Sequence, residues 1–361
     1  VSTPRAATSG EDDAGASGGA GAGPPAGAVR WGVTLPLAGL GLHRHREIVE
    51  ALPSLGYGDV WTGEGGGYDG LTALTAALAW SPGLRAGTGV LPAQTRGPGV
   101  LAQTAASMAE LGQAEVLLGI GSSVPAHVTA LNGRPHGRPY AHVRDLLRFL
   151  RRAFDGEHVV ETYETFSIDF ELRRRPPVRP KVIVGALRPG MLKLAFTEGD
   201  GAITNVLAAH EVPRIVEAAG PPADGQELVV KIFVTPTDDA AYARAAGRAF
   251  LGWILNQPPY RAFHDWLGRG DALAASRAAW DAGDRRGAAE ALPDLVVDEL
   301  WVHGSPEECR AHIARYLHPG VTAVELHVTP SPELDAAPGA LPEVLAALRV
   351  PDDHAVSPGR S

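Results

Sequence analysis

Apolar residues recur along this chain in two rhythms. Short β-branched runs at 29–35, 59–62, 84–91 and 115–120 alternate with stretches where they return every three or four positions. The first rhythm predicts strands and the second amphipathic helices, with one helix after each strand. Helices are predicted over 43–55, 71–80 and 99–111, the first ending at Gly56. The clearest period lies in 139–154. There Val143, Leu146, Leu147, Leu150 and Phe154 share one face, and Arg144, Arg148, Arg151 and Arg152 are free for the other.

A non-helical insertion is expected over 158–180, carrying Arg173-Arg174-Arg175-Pro176-Pro177. Further strands are predicted at 181–184, 202–205, 228–234 and 321–327, with helices at 191–198 and 211–219. A long helical insertion spans about 238–291, interrupted at Pro258-Pro259. Ser305-Pro306-Glu307-Glu308 is a strong helix start, and that helix is expected to end near Gly320. Eight strands with intervening helices suit an α/β fold, a (β/α)₈ TIM-type barrel with insertions. An open doubly wound sheet is disfavoured because no G-x-G-x-x-G follows the first strand.

The 361 residues are 45% hydrophobic and 20% charged, enough for a full core over 29–349. Segments 1–28 and 350–361 read as disordered tails, and the first lacks the basic and apolar regions of a signal peptide. The net charge of −9 argues against nucleic acid as a partner. No apolar run is long enough for a membrane span. A single cysteine, Cys309, excludes an internal disulfide and a Cys-rich metal site, and reads as a helix-packing residue in a reducing cytoplasm. Lysine is scarce (Lys181, Lys193 and Lys231), the bias of a GC-rich genome.

In such a barrel, chemistry belongs just past the strand ends. Those positions are Pro36-Leu37-Ala38, Gly63-Glu64, Gly89-Val90-Leu91-Pro92, Gly121-Ser122-Ser123, Gly185-Ala186-Leu187-Arg188, Asn205, Thr235 and His327. They show no His/carboxylate cluster for a metal and no carboxylate pair for glycoside hydrolysis. Small, backbone-rich strand ends suit a flat ring and a phosphate held by main-chain N–H groups.

The segments 55–64 (LGYGDVWTGE), 84–92 (LRAGTGVLP) and 103–121, with Asn132-Gly133-Arg134-Pro135, 181–186 and Asp200-Gly201-Ala202, resemble in order the motifs of luciferase-like monooxygenases. The resemblance covers 29–207 closely and the rest loosely. The 119–133 segment is similar to the branch that uses the deazaflavin coenzyme F420.

This resemblance implies a barrel of the bacterial-luciferase-like type, an F420 site and a cytoplasmic homodimer. By it, the Gly89–Val90 bond is a cis peptide backing the deazaflavin ring. Gly121, Ser122 and Ser123 meet the ring and ribityl chain. Gly185, Ala186, Leu187 and Arg188, with Gly190 and Met191 opening a helix, form the phosphate loop. Some relatives place a catalytic His after the second strand, where this chain has Gly65. That departure disfavours alcohol oxidation. It leaves Glu64 as the candidate acid and favours hydride transfer from reduced F420 to a C=C or C=N bond of a small molecule, natural-product or peptide intermediate. Substrate contacts are expected from His43, Trp253, Tyr260 and His327, while His127 reads as a surface residue. The alternatives are an FMNH2-dependent monooxygenase and a non-catalytic flavin-binding barrel of the same fold.

Overall fold

The computed structural model describes residues 28–351 except 66 and 134. Most of both expected tails therefore lies outside the described residues. The strands are β1 (Arg30–Thr34), β2 (Asp59–Thr62), β3 (Arg85–Thr88), β4 (Leu91–Pro92), β5 (Val116–Gly121), β6 (His158–Thr162), β7 (Ser167–Glu171), β8 (Lys181–Gly185), β9 (Gly201–Thr204), β10 (Glu227–Pro236), β11 (Val302–Gly304) and β12 (Ala323–Val328). Eight of them close a parallel barrel in the order β1-β2-β3-β5-β8-β9-β10-β12, with β12 returning to β1.

Because side chains alternate along a strand, one set points into the barrel. Trp61, Leu117, Ile183, Ile203, Val229 and Ala323 form that inner cluster. Trp61 fits only because Gly32 and Gly87 flank it, since a Cβ on either would overlap the indole. The N-terminal end is locked by charge. Arg85 binds Asp59 at 2.7 Å, Glu227 at 2.6 Å and Glu115 at 3.1 Å. Arg30 adds a bond to Asp59, and Lys181 bonds to Glu115 and Glu227. Burial alone would raise the Glu227 carboxyl, but the Arg85 and Lys181 charges and Thr322 hold it below the usual range.

Outer helices cover the barrel. In helix Pro139–Phe154 the five apolar residues of the predicted face are buried, each burial worth ~1.5–3 kcal/mol. Asp145 is buried with them, bound by Arg144 and by the Thr165 N–H.

Several boundaries differ from expectation. The third strand breaks at Gly89–Val90 into β3 and β4. The 158–180 insertion holds the antiparallel hairpin β6–β7, with Phe170 against Phe149 and Gly99. The first long helix divides into a 3-10 turn, Leu42–Arg44, helix Arg46–Ala51 and a second 3-10 turn, Leu52–Leu55. Ser305 caps its helix as expected, but that helix stops at Ala314, short of the turn at Pro319-Gly320. The late insertion continues to Leu300 through helix Asp294–Leu300, because Pro293 stands at its N-cap and does not end the region. The short strand β11 then pairs with the far end of β10. Cys309 is buried in helix Pro306–Ala314, as read.

Candidate active site

The strand C-termini open into a cavity of about 780 Å³, within the usual range of small-molecule and cofactor sites, roughly 300–1,000 Å³. Its wall takes Thr34 from β1, Thr62 to Gly65 from the end of β2, Gly89 and Val90 between β3 and β4, Gly121 at the end of β5 with Ser122 and Ser123 after it, Gly185 at the end of β8 with Leu187 after it, and Asn205 after β9. Lys231 and Phe233 of β10 and His327 of β12 face it from inside the barrel. Phe250, Trp253, Pro259 and Tyr260 of the late helical insertion complete it.

The Gly89–Val90 peptide is cis, as the motif implied. The Val90 side chain lies over Gly121 and Gly185, where a Cβ would stand 2.7 Å and 3.1 Å from its methyl groups. These glycines therefore make room for the Val90 side chain, which lies against the strand ends as part of a low wall. Leu187 lines the cavity, while Ala186 is fully buried, its N–H donating to the Ile203 carbonyl at 3.0 Å. Arg188 and Gly190 are exposed and Met191 is half-buried at the start of helix Pro189–Glu198; none of the three lines the cavity. Trp253, Tyr260 and His327 do line it, and His43 is exposed outside it.

Glu64 lines the cavity without being a free acid. Arg96 grips both its carboxylate oxygens and reaches Asp69 as well, and Thr95 Oγ1 donates to Glu64 Oε2 at 3.3 Å. A carboxylate held this way braces the β2 loop against the 92–96 turn. Removing a general acid typically costs about 10²–10⁴ in rate. We expect Glu64→Gln to lower turnover by less than about tenfold, with the shape of the pH–rate profile unchanged. A hundredfold loss with one limb of the profile missing would return the acid role to Glu64.

Histidines hold the mouth loops. His45 is fully buried, accepts the Leu37 N–H at Nε2 (2.8 Å) and donates from Nδ1 to the Gly41 carbonyl at 3.0 Å. His127 donates to the Glu64 carbonyl at 2.9 Å, His136 to the Ser122 carbonyl at 2.6 Å and His142 to the Ala93 carbonyl at 3.2 Å. His127, expected at the surface, thus lines the cavity and fixes one of its loops. Each contact draws on a partner far along the chain or on a tautomer, which residue spacing does not reveal.

The inner end holds polar groups that the strand-end reading missed. Lys231 Nζ lies 2.7 Å from Glu325 Oε1, which also accepts from Thr34 Oγ1 at 2.6 Å. Beside them His327 packs on Phe233, with ring centroids 5.0 Å apart. Its Nδ1 is buried and has no hydrogen-bond partner. Asn205 Nδ2 donates to the Tyr260 hydroxyl at 2.7 Å, while Asn205 Oδ1 is buried and unpartnered. Burial pushes the Tyr260 phenol up to about 12, so it stays protonated.

Burial, then the Lys231 charge, lowers His327 to about 3; burial, with Arg269 and Arg277, does the same to His264. His45 is lowered chiefly by burial. A histidine depressed in the folded state binds its proton first in the unfolded state. Stability is therefore complete above the unfolded pKa, roughly 6.5, and falls as the pH drops below it. Each such histidine contributes up to about 1.4 kcal/mol per pH unit. We expect urea midpoints to fall between pH 6.5 and 5, and His264→Phe to reduce that slope by about one proton. An unfolding free energy flat across this window would contradict the buried neutral state.

Among the described residues no cluster of three His, Cys, Asp or Glu side chains could hold a metal ion, and no helix is long and apolar enough to cross a membrane. The arrangement is a cavity lined by small residues and Val90 at the strand ends, by aromatic residues of β10 and the late insertion, and by the Lys231 ammonium inside the barrel.

The sequence profile of the luciferase-like monooxygenase family matches residues 20–323. The 5,10-methylenetetrahydromethanopterin reductase of Archaeoglobus fulgidus is 24% identical over 253 residues, 67% of this chain and 76% of the relative. The F420-dependent glucose-6-phosphate dehydrogenase of Amycolatopsis mediterranei is 26% identical over 267 residues, covering 70% and 77%. Among solved structures, an F420-dependent secondary alcohol dehydrogenase in complex with an F420-acetone adduct superposes with a TM-score of 0.68 at 17% identity. It covers 90% of this chain and 100% of its own.

Proposed function

The chain belongs to the luciferase-like monooxygenase family, and from that premise we propose that it is a coenzyme F420-dependent reductase acting on a C=C or C=N bond of a small molecule. The observation that carries the reading is the low cavity wall of Gly63, Gly89 and Val90, with the Val90 side chain seated on Gly121 and Gly185, a surface suited to a planar ring. The residues present fit a deazaflavin: Asn205 lines the cavity and keeps its Oδ1 acceptor buried without a partner, and buried polar groups in native proteins are normally satisfied. Two curated relatives named for F420-dependent or methanopterin-reducing activity support the same reading.

Gly89, Val90, Gly121, Ser122, Ser123, Gly185 and Leu187 would hold the ring and its chain. Arg188, Gly190 and Met191 lie outside the cavity wall at the start of helix Pro189–Glu198, where N–H groups and dipole would favour a phosphate on the outer end of the coenzyme; Ala186, its N–H already bonded to Ile203, would only carry the chain into that loop. Bound in reduced form, the coenzyme supplies a hydride. His136 and His127 keep the β5 and β2 loops in place around it. The insertion residues Phe250, Trp253 and Tyr260 exclude water from the substrate side. Reduction is favoured over alcohol oxidation because Gly65 provides no base and Arg96 occupies Glu64.

The test is anaerobic mixing of the protein with reduced F420 and a panel of conjugated carbonyl and imine compounds, following return of the oxidised chromophore. Turnover supports the reading. Substrate-dependent oxygen uptake with reduced FMN, and none with reduced F420, would replace it by a monooxygenase.

A further inference from the structure

Lys231 interrupts an otherwise apolar run in β10, and its side chain is only 7% exposed, yet it lines the cavity. Its register neighbour on β12 is Glu325, fully buried. Among the described residues the ammonium makes one hydrogen bond, to Glu325 Oε1, although it carries three N–H donors. A buried charge normally has its hydrogen-bonding capacity filled. The remaining donors therefore point to an acceptor on the cavity side.

The surroundings narrow that acceptor. The other charged side chains of the lining, Glu64 and Asp69, are both held by Arg96. His327, next to Lys231, stays neutral, so it adds no second cation there. The Phe233 ring lies 5.8 Å from the ammonium, and Ile203, Phe250, Trp253 and Ile254 line the same cavity, a surface for a planar apolar body.

Resting on the F420 reading, we propose that Lys231 is the substrate-binding cation of the cavity and that the substrate is an α,β-unsaturated carbonyl compound with an apolar planar body, its oxygen bound by Lys231. The unfilled N–H donors decide between the two bond types left open above. An imine accepts hydride as an iminium cation, whose nitrogen has no lone pair for those donors. A conjugated carbonyl gathers negative charge on oxygen as it accepts hydride, and a preorganised ammonium stabilises that charge.

The step balances as follows. A C–H bond forms at the β-carbon with the hydride from the reduced coenzyme. The C=C pair shifts towards the carbonyl, giving an enolate whose oxygen faces Lys231. The enolate takes a proton at its α-carbon from water, and C=O is restored. One proton returns to solvent from the oxidised coenzyme, so the substrate gains two hydrogen atoms and the coenzyme loses two.

The experiment uses 4-nitrophenol, a planar probe whose ionised oxygen mimics the enolate and absorbs visibly. Its binding is measured without coenzyme across pH, for the wild type, Lys231→Met and the charge-balanced double variant Lys231→Gln/Glu325→Gln, with circular dichroism to confirm folding. We expect the wild type to bind the phenolate at least tenfold more tightly than the phenol, and both variants to lose that preference. Equal affinity in the wild type, or a preference unchanged in whichever variant folds, overturns the proposal.

A second arm offers benzylideneacetone and 3,4-dihydroisoquinoline with reduced F420. Reduction of the enone supports the substrate class, and reduction of the imine alone overturns it. Phenolate preference without any F420 binding would sink the coenzyme reading while keeping the oxyanion site. F420 turnover without phenolate preference would sink the Lys231 proposal alone.

Discussion

Replacing Arg85 with methionine is expected to lower the free energy of unfolding by about 3–5 kcal/mol, the usual loss when one partner of a buried ion pair is removed. The guanidinium is 6% exposed and joins β2, β3 and β10 through Asp59 and Glu227, with Glu115 beside them. Burial works against its charge, and the Asp59 and Glu227 carboxylates more than restore it. Methionine fills much of the volume but leaves those carboxylates in a site too dry to solvate them. Arg30 and Lys181 remain as partial partners, which places the loss within that range and not above it. Urea denaturation measures it. Because this network lies at the N-terminal end of the barrel, coenzyme affinity at low temperature should change by less than about threefold, ends of such barrels being divided between stability and function. A loss below about 1 kcal/mol would mean that the network is solvated or redundant.

Trp61→Ala is expected to cost about 3–5 kcal/mol as well, by a different route. The indole is fully buried, and it fills the barrel beneath the cavity together with Leu117, Ile183, Ile203, Val229 and Ala323. Gly32 and Gly87, shaped around it, offer no side chains to collapse into the space. The void therefore persists and deepens the cavity floor, since Ile203 belongs to both. Thermal unfolding reads the stability loss, and uptake of a small apolar probe such as benzene reads the void. A cost under about 1.5 kcal/mol would show that the barrel relaxes around the deletion.

The two expectations explain why the barrel was legible in the sequence. Leu55 to Glu64 was read as a family motif, and most of its residues prove to be structural. Gly56 takes a positive φ of 85° that ends the turn before β2. Tyr57 donates its hydroxyl to the Leu345 carbonyl at 2.7 Å, Asp59 anchors the ion-pair network, and Trp61 fills the interior. Short apolar runs with intervening amphipathic helices report burial directly, so the eight barrel strands followed from pattern alone. The β6–β7 hairpin did not: β7 alternates polar and apolar residues strictly, but both strands are short and mostly exposed, so little burial marks them in the 158–180 insertion. Strand β11, three residues long, gives almost no period.

The site was legible where backbone makes it and obscure where side chains meet across the chain. The glycines at 89, 121 and 185, with Leu187, Trp253, Tyr260 and His327, all reach the cavity. Glu64 looked free because Arg96, its partner, stands 32 residues away. His43, expected at the substrate, is exposed outside the cavity, and 43–55 is not one continuous helix. The 3-10 turn before Arg46 instead buries His45 beneath Leu37. Lys231 and Glu325 sit inside strands, not beyond the strand ends where a barrel's chemistry is expected. A signal existed. Each is a lone charge in an apolar run, and their strands pair in register.

The central claim is that the mouth of this barrel is a deazaflavin site. Titration of the purified protein with oxidised F420 and, separately, with FMN, followed by fluorescence quenching and calorimetry, tests it most directly. Micromolar or tighter binding of F420 is expected, with one site per chain, and FMN weaker by at least tenfold. Tighter binding of FMN, or no binding of either, would contradict it.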